Sequence, residues 1–410
     1  MNIPNSLKFT GKDSSIKGLE KIKLLATLNA NAKKIDSNYS SKEGFNGQIP
    51  NILIGDYGYP NVNAGFISTQ NYKDNDAPNK WKKDQQTFSL SKIIELRQDL
   101  LNSKTNLNVK DFNARFTDKL KEIGLASNPV DAEINYDKKI SFGNSFNTDI
   151  LPHGPSAALK KLQITQNPKV PFIVDKYESD IDFKASNALL ELSKKGIDEH
   201  YLTKILSTGN IGVKIQRKIV PTKWSITTVD DTLGKNIITK ISDFEEHPYS
   251  TLFGSYMGNY YLAIIFPGPW SYELFETYVG AGLENSENFS SAIDYEGPFG
   301  RKTYASNTIG GYYAARLALL EYFLKNKKKG KVLLLRFITD EYWAPLGVWV
   351  VREATRNCFS SNKIDFESKD LMLKYSALFL KKKFNLSINV ILKQSTLLDE
   401  ITKQKNLSDF

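Results

Sequence analysis

The longest apolar runs of this chain have the length of single β-strands. They cover residues 260–266 and 331–338, whereas a helix that crosses a bilayer needs about 20 predominantly apolar residues. Apolar side chains recur at helical spacing just before the second run, at Tyr313, Leu317, Leu320 and Leu324. A further helix is predicted over residues 348–359. This alternation of helix, strand and helix favours a mixed α/β fold over a helical bundle or a β-sandwich.

A chain of 410 residues can bury the cores of two domains. Its first part is rich in Lys, Asn, Ser and Gly and predicts a loosely ordered basic segment, whereas an apolar strand that runs into a Gly/Pro turn marks a folded domain from Ile49. The Gly- and Ser-rich residues 280–297 mark the next boundary. The prediction is a basic N-terminal segment, two intimately packed domains and a flexible tail, over residues 1–48, 49–285, 286–390 and 391–410.

Several classes of protein are disfavoured by simple counts. Cys358 is the single cysteine, and the three histidines are far apart, so neither an internal disulfide nor a zinc site is expected. The first residues contain no apolar signal-peptide core. Familiar hydrolase and kinase motifs are missing from the sequence. These features predict a cytoplasmic protein, associated with the nucleoid and not with a membrane.

The charge balance points towards anionic partners. Lys and Arg number 55 against 45 Asp and Glu, which gives a formal net charge of +10. Such a surplus favours encounter with polyanions such as nucleic acid. A solvated lysine-rich surface would give the same total, so the position of the cations matters more than their number.

Two adjacent carboxylates stand at the end of residues 220–231, which are predicted to form a strand. Strand ends are where α/β sheets build sites, so Asp230 and Asp231 could hold a divalent cation such as Mg²⁺ or divide acid and base roles. Neighbours on an extended chain point to opposite faces, so only one of them need face the site. The alternative is that Asp231 caps a helix after Thr232.

Two basic groups could contact phosphate. A Gly-rich loop over residues 297–306 carries Arg301, Lys302 and Tyr304, although its spacing is not that of a P-loop and a basic hairpin tip is the alternative. On the predicted helix 348–359, two arginines one turn apart could clamp phosphates or pair with carboxylates such as Glu353. The candidate phosphate and nucleic-acid contacts are Lys223, Arg301, Lys302, Arg352 and Arg356.

Six ordered motifs occupy residues 56–61, 153–157, 220–231, 267–271, 300–306 and 345–349. Together they resemble the archaeal Nre family of DNA-repair proteins. The resemblance implies a role in the repair of DNA damage, a larger N-terminal and a smaller C-terminal domain, and a clamp-binding C-terminus. Many relatives carry an N-terminal cysteine cluster suited to metal, which this chain lacks. The family brings no established catalytic residues.

Three functions therefore compete. The leading interpretation is a repair factor that binds damaged or structured DNA and is tethered to the sliding clamp (PCNA). The first alternative is a phosphoryl-transfer or nucleotide-acting repair enzyme, whose catalytic candidates are Asp230, Asp231, Arg301, Lys302 and Tyr304. The second alternative is an adaptor that recruits other proteins to the clamp without touching DNA.

The last residues follow the pattern of a clamp-interacting peptide (PIP motif). Gln404, Leu407 and Phe410 spell Q-x-x-L-x-x-F. Because a 3₁₀ turn repeats every three residues, these side chains align on one side, with the two apolar anchors facing a hydrophobic pocket. An earlier Gln394 begins a similar pattern but places Glu400 at the aromatic position. The prediction is that residues 404–410 form the tether.

Overall fold

The computed structural model describes residues 43–111, 115–137, 150–279 and 290–403. Within them the chain divides into two compact units. The barrel unit comprises the described residues up to Leu233 together with Ala344–Gly347, and the sheet unit comprises Gly234–Trp343 and the described residues from Val348 onward. The sequence predicts a boundary after residue 285, where the composition changes. The spatial division instead falls after Leu233, inside a helix, where the composition does not change.

A closed five-stranded barrel forms the core of the barrel unit. Its strands are β1 (Gly44–Ile54), β2 (Asn61–Thr69), β3 (Leu101–Asn108), β4 (Val130–Tyr136) and β5 (Ser156–Ile164). Their order around the barrel is β1-β2-β3-β5-β4. β3 and β5 run parallel, and the other neighbours run antiparallel.

The barrel is filled and closed in a characteristic way. Val62, Ala64 and Phe66 alternate along β2 and point into the core, as the period of two in a strand requires. Helix α3 (Arg115–Leu125) connects β3 to β4 and contributes Leu120 and Ile123 to the same core. This strand order, with a helix between the third and fourth strands, is the topology of the OB fold.

The remaining helices of this unit lie between β2 and β3 and after β5. α1 (Pro78–Trp81) and α2 (Leu90–Gln98) lie between β2 and β3, and a helical cluster follows β5, with α4 (Phe172–Ser179), α5 (Ala185–Lys194) and α6 (Glu199–Ser207). Apolar side chains recur at helical spacing over residues 90–101 and 184–195, which predicts two helices that pack on the first sheet, the second ended by Gly196. Both helices are confirmed, as α2 and α5, and Gly196 has a φ of 82°. The buried side chains of α5, however, pack with α4 and α6.

A six-stranded mixed sheet organises the sheet unit. Its order is β10-β9-β12-β8-β7-β13, with β7 (Ser250–Tyr256), β8 (Asn259–Phe266), β9 (Ser271–Tyr278), β10 (Ser291–Glu296), β12 (Lys331–Ile338) and β13 (Ile364–Asp365). β12 pairs parallel with β9 and antiparallel with β8. A separate parallel pair joins β6 (Glu245–Glu246) and β11 (Lys328–Lys329). The apolar runs at 260–266 and 331–338 are thus strands, as predicted.

Helices cover this sheet. They are α8 (Ile309–Asn326), α9 (Gly347–Phe359), α10 (Lys369–Phe384), α11 (Ile388–Gln394) and α12 (Thr396–Lys403), and the long α7 (Thr222–Ile241) precedes β6. The predicted helices at 312–324 and 348–359 are confirmed as α8 and α9, and the mixed α/β class with them. No helix among the described residues has the length and apolarity that a membrane span needs.

The segment before the predicted clamp peptide is folded where the sequence predicts a flexible tail from residue 391. Ile391 and Leu397 are buried in the core of the sheet unit. The buried carboxylate of Glu273, in β9, accepts hydrogen bonds from the backbone N–H groups of Thr396 (2.9 Å) and Leu397 (3.3 Å), which cap α12. The tail predicted from residue 391 is therefore folded as far as Lys403, and residues 404–410 lie outside the described residues.

Candidate nucleic-acid interface

Asp230 and Asp231 lie in the middle of α7, so the prediction of a strand over residues 220–231 is wrong. Its Thr, Ile and Val residues favour a strand by propensity. Two threonine hydroxyls instead donate to the carbonyls four residues earlier, at 2.8 Å and 3.3 Å, which accommodates these side chains in a helix. The buried positions recur at helical spacing, at Pro221, Ser225 and Val229.

The two carboxylates do not act as a pair. Successive residues on a helix point about 100° apart, and Asp230 is fully buried whereas Asp231 is half-buried. Asp231 is an interior residue of α7 and not a helix cap. Among the described residues, no group of three His, Cys, Asp or Glu side chains is arranged to hold a metal ion. A shared cation between these two aspartates has no support in this geometry.

The two arginines of α9 have protein surroundings. Arg356 forms a bidentate ion pair with Glu321, at 2.9 Å and 2.8 Å, and a third contact with Glu353 at 2.6 Å. Arg352 is buried. These contacts favour the alternative interpretation, pairing with carboxylates, over a phosphate clamp. Lys223 lies in the first turn of α7 and is half-buried.

Arg301 holds its own loop together. Its guanidinium pairs with Asp294 at 2.9 Å and donates hydrogen bonds to the backbone carbonyls of Tyr295, Thr303 and Tyr304. It also lies 5.2 Å from the ring centroid of Tyr312, within cation–π range. Arg301 therefore braces the loop over residues 297–306 and is largely occupied within the protein.

Two buried carboxylates anchor this loop to α8. Asp294 accepts hydrogen bonds from the backbone of Asn307 (3.0 Å) and Thr308 (2.8 Å), at the start of the helix. Glu296 pairs with Arg316 at 2.8 Å and accepts a hydrogen bond from the indole of Trp270 at 2.9 Å. Both side chains of the Glu296–Arg316 pair are fully buried. These buried ionic and hydrogen-bond contacts therefore hold the loop to α8.

The outer surface of the same loop carries the groups that remain exposed. Lys302 is exposed, Tyr304 is half exposed, and Phe299 is 96% exposed. Of the five catalytic candidates, Arg301, Lys302 and Tyr304 lie together in the sheet unit, whereas Asp230 and Asp231 belong to the barrel unit.

The barrel presents a polar outer face that the sequence motifs do not reveal. Because Val62 and its alternating neighbours point inward, the residues between them point outward. The pairing of β2 with β3 sets Asn61 opposite Asn108, Asn63 opposite Asn106 and Gly65 opposite Lys104. The Asn108 amide donates to the Asn61 amide oxygen at 2.9 Å. We call these residues of β2 and β3 the amide face.

A groove borders the amide face. β3 and β5 pair from Asn102–Ser156 to Lys104–Ala158, and a groove of about 290 Å³ is lined by this paired stretch and the residues that follow it. Side chains from three strands line it, including Asn63, Lys104, Asn106 and Leu159. The groove is therefore continuous with the amide face.

Three exposed aromatic side chains lie near one end of this face. The β1–β2 loop, residues 55–60, carries Tyr57, which is 91% exposed, and Tyr59, whose ring centroid lies 4.9 Å from that of Trp224. Trp224 itself is 41% exposed. We call Tyr57, Tyr59 and Trp224 the aromatic cluster.

Backbone contacts fix this cluster beside the amide face. The hydroxyl of Thr222, at the start of α7, accepts from the Ile54 N–H at 2.9 Å. The Gly55 N–H donates to the Asn63 carbonyl at 2.8 Å, and Asn61 N–H donates to Gly58 at 3.0 Å. Gly58 has a φ of 83°, which a side chain would disfavour. The loop therefore has a defined shape.

His153 lies just before β5, near the opposite end of the face. Its Nδ1 is 2.8 Å from the Gly154 carbonyl and its Nε2 is 3.3 Å from the Asn102 amide nitrogen. A carbonyl only accepts, so Nδ1 carries the proton and Nε2 accepts from Asn102. Burial lowers the pKa of His153 to about 4. The motif at residues 153–157 thus places a neutral histidine in a structural role.

Comparison with known proteins identifies one family over most of the chain. The family model described as archaeal Nre, N-terminal, matches residues 16–283, and the one described as archaeal Nre, C-terminal, matches residues 296–410. The chain is 33% identical to DNA repair protein NreA of Haloferax volcanii over 338 residues, 79% of this chain and 80% of the relative. It is 32% identical to DNA repair protein NreB of Archaeoglobus fulgidus over 367 residues, 88% of this chain and 90% of the relative. No solved structure matches it significantly.

Proposed function

This chain belongs to the archaeal Nre family, and from that premise we propose that it acts in DNA repair, in contact with DNA and tethered to the sliding clamp (PCNA). Relatives across most of its length are named DNA repair proteins. The role in DNA repair follows from that relationship. DNA contact, the clamp tether and a place in the cytoplasm at the nucleoid are the finer parts of the proposal.

The observation that carries the tether is the position of its peptide. Helix α12 ends at Lys403, and Thr402 and Lys403 are exposed. The next residue is Gln404, the first of the Q-x-x-L-x-x-F pattern with Leu407 and Phe410. The peptide therefore starts where the fold reaches the surface. Its two apolar side chains are suited to a hydrophobic pocket on a partner.

Removal of the two apolar anchors tests the tether. We expect Leu407→Ala with Phe410→Ala to weaken binding of purified clamp at least about tenfold, because truncated hot-spot side chains each cost more than about 1 kcal/mol. A chain ending at Lys403 should lose the same binding. Titration calorimetry of the clamp with each protein provides the measurement.

A matched control lies between the anchors. Lys405→Ala with Asn406→Ala changes two positions of the same peptide that the pattern leaves open, and should leave the affinity close to that of the original chain. Equal affinity for the full chain and the chain ending at Lys403 would refute the tether.

The enzyme alternative keeps a narrower basis. Asp230 is buried in α7 and Arg301 is engaged by its own loop, which leaves Lys302 and Tyr304 as the exposed members of the candidate set. Phosphoryl transfer, with or without Mg²⁺, is tested by incubating the protein with nicked, branched and damaged DNA in the presence and absence of the ion. A DNA product that forms with the protein and not in its absence would favour an enzyme.

The adaptor alternative predicts no DNA binding at all. The net charge of +10 and the polar barrel face both favour DNA contact over a pure adaptor. A protein that binds the clamp but shows no affinity for any DNA at low salt would be an adaptor.

A further inference from the structure

We propose that the amide face and the aromatic cluster form a binding site for single-stranded nucleic acid. The site deepens the proposed DNA contact and rests on it for its place in repair, but its own residues lie far along the chain from the clamp peptide. Three features of the barrel unit point to this ligand: its topology, the chemistry of its outer face, and the fixed aromatic side chains at one end.

Topology gives the location. An OB barrel binds oligonucleotides on the face of its second and third strands and through the loop between its first and second strands. Here these elements are β2, β3 and residues 55–60. The outward residues Asn61, Asn63 and Asn106 are exposed. The position where such barrels take their ligand is therefore open within the described residues.

The chemistry of this face suits bases and sugars better than an apolar protein partner. Asn side chains each offer donors and an acceptor, which match the edges of bases and the hydroxyl groups of sugars. The groove between β3 and β5, about 290 Å³, is near the lower size of small-ligand sites. It adds a recess beside the amide face.

Exposed aromatic side chains supply the stacking surface. Tyr57 is 91% exposed on a loop that backbone hydrogen bonds hold in place. Tyr59 and Trp224 support each other beside it. Unpaired bases stack on such rings, which contributes about 1–3 kcal/mol per base, whereas the bases of an intact duplex are already stacked on one another. This difference selects a single strand.

The charges near the site are mixed. Four lysines lie on or beside the amide face and the aromatic cluster: Lys104, Lys110, Lys218 and Lys223. Two backbone hydrogen bonds join the segments that carry them, because the Val109 N–H donates to the Pro60 carbonyl and the Ile219 N–H donates to the Val109 carbonyl. Asp56 and Asp111 are exposed in the same region. The site therefore gains only part of its affinity from phosphates. About three or four phosphate contacts give a slope of log affinity against log salt of roughly −2 to −3.

The test uses the full chain and fluorescence anisotropy with labelled oligo(dT), oligo(U) and a blunt DNA duplex. We expect oligo(dT) to bind more tightly than the duplex. Tyr57→Ala should weaken that binding by about fivefold or more, as the loss of one stacked base implies, and Tyr57→Phe should retain it. Comparison of oligo(dT) with oligo(U) tells whether DNA or RNA is preferred.

The chain offers a matched control in Phe172→Ala. Phe172 is 81% exposed and lies in α4, outside the amide face and the aromatic cluster, so its loss should leave oligonucleotide binding unchanged. Tyr57→Ala should not affect titration with the clamp, and a chain ending at Lys403 should still bind oligo(dT), which separates this proposal from the tether. Preference for duplex, or equal loss in the Tyr57→Ala and Phe172→Ala proteins, would overturn the site.

Discussion

Replacement of Arg316 by methionine should lower the free energy of unfolding by about 3–5 kcal/mol. Arg316 and Glu296 are both fully buried and 2.8 Å apart. The guanidinium also lies over the rings of Tyr312 and Tyr313, at 5.9 Å and 5.3 Å from their centroids. Without its cation, the Glu296 carboxylate is left as an uncompensated charge in a low-dielectric core, which is the costly half of breaking a buried pair. Denaturant unfolding followed by circular dichroism measures the loss.

Two further variants separate charge from packing. Arg316→Met combined with Glu296→Gln removes the stranded charge as well as the pair, and should recover much of the loss. Lys92→Met breaks the exposed pair with Glu95, 3.0 Å apart, and should change stability by no more than about 0.5 kcal/mol. A loss below about 1 kcal/mol for Arg316→Met would show that the buried pair does not contribute to stability as proposed.

Acid should destabilise the barrel unit through His153. Burial holds its pKa at about 4, below the ordinary 6.5, so between these values the unfolded chain binds a proton that the folded chain does not. The contribution of neutral His153 to the free energy of unfolding is therefore fully present above about pH 6.5 and is lost as the pH falls towards 4. By pH 4 the loss in the free energy of unfolding amounts to about 3 kcal/mol.

The measurement compares unfolding free energies at pH 7 and pH 4.5 for the original chain and His153→Gln. We expect a smaller fall for the variant, because glutamine does not titrate. Burial lowers the pKa of His247 as well, with the same sign, but His247 is present in both proteins and cancels in the difference. Parallel pH profiles would show that His153 does not control this transition.

The sheet unit could be predicted from the sequence more completely than the barrel. β8 and β12 are nearly continuous apolar runs because both of their faces are buried. β3, by contrast, reads LNSKTNLN, and only its two leucines are apolar. A barrel strand with one polar face gives a weak signal, and barrel closure depends on pairings distant in sequence. The mixed α/β class can therefore be predicted from the sequence, whereas the OB topology cannot.

The candidate site shows the same limit. Arg301 and Arg356 are recognisable as cations, but a sequence does not tell whether a guanidinium faces solvent or a carboxylate of its own fold. The β-branched residues that follow Trp224 predict a strand, whereas their burial at helical spacing shows a helix. The sequence does contain a signal for the amide face, in the alternation of Asn with apolar residues at Asn61 and Asn63.

Glu273 has a geometric consequence for the proposed clamp peptide. Because it caps α12 from a buried strand, the chain is held to the sheet unit as far as Lys403, where that helix ends. Residues 404–410 span at most about 25 Å when fully extended. A partner that seats Phe410 must therefore lie within that distance of Lys403, which limits how far the sheet unit can stand from the partner's surface.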